Sequence, residues 1–397
     1  MKKVLFITAR IPSPLDDGWK IRTFHLIQGY ANNGWLVDLL SFCNPNEVEN
    51  FFPDLDATCY NIRLVPRNKS YSLVDLLKGL FFSTPFNVYN YHIRFMADVS
   101  KEMAEKNHYD LIQIEDVIMA QYFNDHMQNI PKILDMHNVE SNLLCRYAEK
   151  DGNFFKRIYA KLTASKLEKY EVGISEKFSS VLTCSSDDGA LLMKNGVNIP
   201  VRVVPNGVDC EYFKPDHNAD SFSKDLVFVG SMDYHANRTG VIFFVNHILP
   251  LIIKKLPDVH FFIVGKNPTK EVCSLACEKI TVTGMVPDVR EYLKRAKVVV
   301  VPLLVGGGTR LKILEAMSMA RPVVSTSLGA EGIGAIHKKH IFLADDPSSF
   351  SASIVKLLND FELSKQMGVS ASQFINDNYC WNKIQDELLS FINGQFT

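Results

Sequence analysis

Thirteen short apolar runs rich in β-branched residues, set between longer segments of helical character, fall into two series divided by a polar stretch. The first series is Val4–Thr8, Val37–Phe42, Ile62–Val65, Leu111–Ile114, Ile133–Met136, Val181–Cys184 and Val201–Val204. The second is Leu226–Val229, Phe261–Val264, Ile280–Thr283, Val298–Val301, Val323–Thr326 and Ile341–Leu343. Runs this apolar read as strands buried on both faces, and spacing by helices makes their sheets parallel. Asn206 to Lys224, rich in Asp, Asn, Ser and Pro, reads as a linker. Two α/β units follow from pattern alone, in keeping with a length of 397 residues. The segment Trp381–Phe396 reads as a helix with Ile384, Leu388, Leu389 and Ile392 on its apolar face.

Charge narrows the partners. There are 43 basic and 44 acidic side chains, split 22 to 24 before Pro200 and 21 to 20 after it. Neither half carries the field of a dominant nucleic-acid surface, so no nucleic acid is expected. The apolar run after Met1-Lys2-Lys3 stops at Arg10, too short for a signal peptide, and no stretch suits a bilayer span. Eight cysteines form no framework, and Cys273 and Cys277 have no partner pair to complete a zinc site. Reduced thiols in a cytoplasmic protein are the expectation. One stretch, Leu73 to Phe95, clusters Leu80, Phe81, Phe82, Phe86, Tyr89 and Tyr91 beside Lys69, Lys78 and Arg94. It reads either as an insertion packed on the first unit or as a patch touching an anionic membrane.

Ligands of open parallel sheets bind beyond the carboxyl ends of the strands, so those ends hold the candidate residues. After the first strand a loop leads to Gly18, at a helix start where backbone N–H groups face outward. The fifth strand ends in Asp135-Met-His137-Asn138, which makes His137 a donor to a substrate hydroxyl or a phosphate. The strongest signal is Val301-Pro-Leu-Leu-Val-Gly306-Gly307-Gly308-Thr309-Arg310-Leu-Lys312-Ile-Leu-Glu315. A glycine nest running into a helix, with Thr309 as cap and Arg310 and Lys312 in the first turn, suits a pyrophosphate. Basic residues there oppose the helix dipole, so helix stability does not explain them. Glu315, one turn on, is placed to accept hydrogen bonds from two ribose hydroxyls.

Val204-Pro-Asn-Gly-Val-Asp209 with Phe213 and Pro215 resembles the interdomain signature of GT-B glycosyltransferases of family 4, the group 1 glycosyltransferases. Phe228-Val-Gly-Ser231, Phe262-Ile-Val-Gly265, Val282-Thr-Gly-Met-Val286 and Gly306–Met317 follow in that family's order. The resemblance implies an α/β GT-B fold: two Rossmann-like, doubly wound domains facing across a cleft. It implies an acceptor-side domain over 1–205, a nucleotide-sugar domain over 206–378 and a helix over 379–397 returning to the first domain. It further implies transfer of a sugar from a UDP- or GDP-linked donor to a glycan or lipid-linked acceptor, with retention and without a metal or other cofactor. Gly18, Gly230, Ser231, Val286, Gly307, Gly308, Thr309 and Glu315 would contact the donor, Val286 through its backbone. His137, Arg310 and Lys312 would carry catalysis by orienting the sugar and stabilising the leaving phosphate.

The chain departs from the family pattern twice. Gly307 stands where the first Glu of a Glu-x7-Glu pair usually sits, and Ser231 is followed by no clear Lys, with Arg238 out of step. Arg310 and Lys312 are expected to supply the missing charge. A hexosyltransferase of cell-surface polysaccharide or glycoconjugate synthesis, at the inner face of the cytoplasmic membrane, is the leading expectation. A sugar-nucleotide epimerase and a non-catalytic nucleotide-sugar binder are the alternatives.

Overall fold

The computed structural model describes residues 1–68, 84–150, 154–216, 225–306 and 310–396. The chain divides into two units, Met1–Asn206 with Ile384–Thr397, and Gly207–Lys383. In the first, the described strands are β1 (Lys3–Thr8), β2 (Leu36–Cys43), β3 (Asn61–Pro66), β4 (Leu111–Glu115), β5 (Lys132–Met136), β6 (Ser180–Thr183) and β7 (Val201–Val203). They form one sheet in the order β3-β2-β1-β4-β5-β6-β7. Every pairing is parallel. In the second unit β8 (Asp225–Val229), β9 (His260–Val264), β10 (Ile280–Gly284), β11 (Val298–Val301), β12 (Val323–Ser325) and β13 (Phe342–Leu343) line up as β10-β9-β8-β11-β12-β13. These too are parallel throughout.

Each apolar run of the sequence is a strand, and the central ones are buried on both faces as expected. The edges differ. Only Val65 of β3 is fully buried, and β7 exposes most of its length. An edge strand has a neighbour on one side only, so its alternate residues meet water. The largely aliphatic core of the second unit includes aromatic contacts: the Phe244 ring sits 4.7 Å from that of Phe261 and 6.1 Å from that of Phe350. Truncating a ring so placed costs about 3–5 kcal/mol. The stretch His235–Ile253 has the length and apolarity of a membrane span, but Val241, Phe244, Ile248 and Ile252 are spent on this core.

In both sheets the chain reverses its winding once, between β1 and β4 and between β8 and β11. Strand-to-helix loops diverge there and leave a crevice at the carboxyl ends. After β1 the helix α1 (Gly18–Asn32) starts under an Asp17 cap, whose carboxylate accepts from the Lys20 amide at 3.0 Å. The helix Trp381–Phe396 begins in the second unit and, from Ile384 on, belongs to the first, where Gln385 meets α1. Gln385 donates to the His25 carbonyl, and a Cβ on Gly29 would come within 2.7 Å of the Gln385 side chain. Only glycine permits that approach.

The expectation of eight free thiols is corrected. Cys210 and Cys380, 170 residues apart, are bonded, while the other six are free. Val208 and Cys380 pair as an isolated parallel bridge, with Val208 N–H donating to Tyr379 O and Trp381 N–H to Val208 O. That pairing, which no local spacing reveals, brings the two sulfurs together.

Candidate functional site

The first unit gathers its polar side chains at the carboxyl ends of β4 and β5. Arg22, from α1, is fully buried and grips both oxygens of Asp135 at 2.8 Å, while its third nitrogen donates to the Val204 carbonyl at 2.7 Å. Glu115, also fully buried, accepts from Gln113 at 2.7 Å and from Thr23 at 3.3 Å, and meets His137 Nε2 at 2.9 Å. Burial and the neighbouring Asp135 drive the Glu115 carboxyl far above the ordinary range. Burial also holds His137 below the usual imidazole value, against the pull of Asp116 and Asp135.

His137 lies parallel to the Trp19 ring at 5.5 Å. Trp19 in turn donates its indole N–H to Asp116 at 2.6 Å. Asp116 occupies the left-handed backbone region, with φ of 72°, an uncommon state for a residue with a Cβ. Burial pushes its carboxyl up to about 6. These residues open on a cavity of about 340 Å³, also lined by Phe86, Tyr91, Asn138 and Glu140. Phe86, in the stretch that reads either as packed on the first unit or as a membrane patch, is buried. Phe81 and Phe82 lie outside the described residues.

Among the described residues, Glu115, Asp135 and His137 bring ligand-type atoms within 4.8 Å of one another. The set does not fit a metal ion. Both Asp135 oxygens are taken by a guanidinium, whose positive charge already sits where a cation would.

The second unit gathers a different group beyond β8 and β11. Gly230 donates to Val264 O at 2.9 Å, and Asn237 bridges back to the Ser231 carbonyl at 2.8 Å. Lys312 donates to Asn237 Oδ1 at 2.7 Å, with its ammonium 4.0 Å from the centre of the Phe228 ring. A Cβ on Gly230 would lie 2.7 Å from both Asn237 Nδ2 and Lys312 Nζ, so glycine here is what lets the lysine reach the strand end. Gly265, at φ of 149°, comes still closer: its Cβ would lie 1.9 Å from Gly230 O.

The helix that follows the glycine loop starts later than expected. It spans Leu311–Ser318 with Arg310 at the N-cap and no capping side chain, so the cap position is not Thr309. Thr309, Gly307 and Gly308 lie outside the described residues. Arg310 is buried. Burial, with Arg310 adding to it and Glu315 opposing, pushes the Lys312 ammonium down to about 7. Burial likewise pushes the Glu315 carboxyl up to about 7. Such groups, costly when empty, gain most from a charged ligand.

Of the expected site residues the structure brings Gly230, Ser231 and Lys312 into one group around Asn237, and places His137 on the cavity of the first unit. Gly18 stands at the first position of α1. Val286 follows β10 and is half-buried. Arg238 engages His235 and Glu271 instead of the strand end. Sequence reasoning missed Asn237, Arg22, Trp19, Glu115 and Asp116. Glu115 and Asp116 stand at a strand end, where the same rule that found His137 would have found them.

Comparison with known proteins decides the class. Residues 223–360 match the family model described as glycosyl transferases group 1. The chain carries a group 1 glycosyltransferase domain. It is a glycosyltransferase. An uncharacterized 44.6 kDa protein in the cps region of Klebsiella pneumoniae is 25% identical over 97% of this chain and 98% of its own length. The phosphatidyl-myo-inositol mannosyltransferase of Mycolicibacterium smegmatis is 24% identical over 47% of this chain and 50% of its own. Among solved structures, sucrose-phosphate synthase from Thermosynechococcus elongatus superposes with a TM-score of 0.73 at 19% identity, covering 100% and 99% of the two chains. HepE of Anabaena, in complex with UDP and glucose, gives 0.69 at 13% identity, over 99% and 100%. The glycosyltransferase therefore has the GT-B fold.

Proposed function

We propose that this glycosyltransferase takes a UDP- or GDP-linked sugar in its second unit and transfers it, with retention and without a metal, to a glycan or lipid-linked acceptor of cell-surface polysaccharide or glycolipid synthesis. The observation that carries the reading is Lys312, half-buried at the ends of β8 and β11 within the family-matched region and held by Asn237. Two cations at a helix start, Arg310 and Lys312, suit a diphosphate and the charge that grows on it as the glycosyl bond weakens. Gly18, Gly230, Ser231, the Val286 backbone and the 307–309 loop belong to the proposed donor contacts, and Glu315 to the ribose. His137 is assigned to a sugar hydroxyl, since a neutral imidazole beside carboxyls suits a hydroxyl better than a phosphate. That HepE holds UDP and glucose supports the choice of donor class.

A cytoplasmic protein touching the inner face of the membrane is part of the same proposal. The described part of 73–95 leaves Tyr89 and Phe95 exposed. A second surface adds to it. On the helix Phe154–Ser175, Phe154, Ile158 and Leu162 recur every fourth residue and are exposed, beside exposed Lys156, Arg157 and Lys161. An apolar stripe flanked by cations suits an anionic lipid surface.

The test is a thermal-shift screen against UDP, GDP and their sugars, followed by product analysis with the stabilising donor. Stabilisation by one nucleotide series, and an acceptor-dependent product that keeps the donor's anomeric configuration without added metal, is the expected result. An inverted product would remove retention. Conversion of donor without acceptor would favour an epimerase, and binding without turnover a non-catalytic binder.

A further inference from the structure

Asn237 stands third in the helix His235–Phe243, which follows β8, and only 7% of it is exposed. Its amide is fixed from both ends. Nδ2 donates to the Ser231 carbonyl at 2.8 Å, which turns Oδ1 the other way, and there the Lys312 ammonium donates to it at 2.7 Å. Flipping the amide would lose both bonds. The loop behind it is braced as well. Ser231 Oγ and Asn267 Nδ2 donate to the two oxygens of Asp233 at 2.5 and 2.9 Å, and Met232 N–H donates to the Lys266 carbonyl at 2.9 Å.

The group that receives the lysine is neutral, and that decides what the lysine has left. A carboxylate in its place would form an ion pair with the ammonium, and a diphosphate would have to compete for the same charge. An amide oxygen orients the ammonium through one bond and leaves its charge and its remaining N–H groups for a ligand. Packing narrows the direction further. The ammonium lies 4.0 Å from the centre of the Phe228 ring, and a Cβ on Gly230 would come within 2.7 Å of it.

Resting on the donor reading, we propose that Asn237 is the positioning residue for Lys312: it holds the ammonium beyond β8, aimed at the donor diphosphate, with its charge unspent. It acts through the lysine and not on the donor itself. A loose lysine samples many rotamers, and ordering it as the ligand arrives subtracts from affinity. Asn237 meets that cost during folding. It also keys the lysine to the Ser231 carbonyl, and so to the strand end, although the lysine belongs to another helix. A cation already in place when charge grows on the leaving phosphate needs no reorganisation at that moment.

Calorimetric titration of the full chain with UDP and with GDP, across a double-mutant cycle of Asn237→Leu and Lys312→Met, tests this. Asn237→Leu should weaken the nucleotide about tenfold in the otherwise wild-type chain, the worth of a hydrogen bond to a charged group. Where Lys312 is already Met, it should cost less than about twofold. A merely structural Asn237 would cost the same in both backgrounds, and that result overturns the proposal. So does an Asn237→Leu chain that binds like wild type. Asn237→Asp, equal in size, is the second variant, read by NMR of labelled lysine side chains in the empty protein. Arg310, Glu315 and the Phe228 ring, which also act on the ammonium, are unchanged in it. The new carboxylate should move the Lys312 titration to higher pH, while nucleotide affinity below neutral pH still falls because the charge is spent inside the protein. An unmoved titration overturns the proposal. Lys312→Met binding as wild type does, or a wild type that binds neither nucleotide, overturns the donor reading and this proposal with it. A loss in Lys312→Met that is not coupled to Asn237 overturns this proposal alone.

Discussion

Arg22 and Asp135, 113 residues apart, hold each other through two hydrogen bonds of 2.8 Å with neither side chain exposed to water. The pair ties α1 to the end of β5 and so fixes the floor beneath Trp19 and His137. Breaking a buried pair from one side strands the other charge. Asp135→Asn should cost about 3–5 kcal/mol in urea unfolding. Replacing both partners with apolar residues, Arg22→Met with Asp135→Leu, should recover much of that loss. A single-variant cost below about 1 kcal/mol would show that Arg22 finds water or another partner.

On the proposed donor reading, Lys312 would give nucleotide binding a pH dependence of defined sign. Its ammonium, pushed down to about 7, is charged below that pH and neutral above it in the empty site. A diphosphate held by Lys312 would bind the charged form, so affinity should be highest below pH 7 and weaken as pH rises beyond it. Lys312→Met keeps the stem over Phe228 and removes the charge. It should lower affinity about tenfold or more and flatten the profile between pH 6.5 and 9, as calorimetric titration would read. A wild-type profile already flat over that range would remove Lys312 from the phosphate.

Glu140 and Glu171 predict the opposite of ordinary acid lability in the first unit. Burial raises both carboxyls to about 7, against roughly 4.3 in an unfolded chain. The folded state thus holds more protons between those values. The stability they contribute is complete below the unfolded value and lost as pH rises through about 7. The melting temperature should fall from pH 5.5 to pH 8, each kcal/mol lost lowering it by about 2–4 °C. Glu171→Gln should shrink the slope; an unchanged slope would place the pH dependence elsewhere.

The exposed stripe on Phe154–Ser175 predicts flotation with anionic vesicles. Wild type should rise with phosphatidylglycerol liposomes at low salt and be released by high salt, because each cation near such a surface contributes about 1 kcal/mol and is screened by ions. Ile158→Ser with Leu162→Ser, both at exposed positions, should abolish flotation without lowering the melting temperature. Flotation that survives the double change would return the contact to the 73–95 segment.

Strand positions were legible because a strand buried on both faces must be apolar along its length, and Val298–Val301 has no other reading. The pyrophosphate candidates Arg310 and Lys312 were legible because cations at a helix start conflict with the helix itself. Asn237 was not, since its role is to receive Lys312 from 75 residues away. The buried Arg22 was hidden for the same reason: a lone arginine in an amphipathic helix looks like a solvated one until its partner strand is in place. Cys210 and Cys380 were read as thiols because only the Val208 bridge reveals their proximity.

The seat of Gln385 against Gly29 has a consequence for biosynthesis. The first 206 residues leave the ribosome long before the stretch that completes their unit, and the intervening segment, closed on itself by the Val208 and Cys380 pairing, can fold in the meantime. Until residues 384–396 emerge, α1 lacks the Gln385 side chain seated at Gly29. The unit made first is therefore finished last, and a stalled or truncated chain would present an incomplete first unit to chaperones while its second unit is already formed.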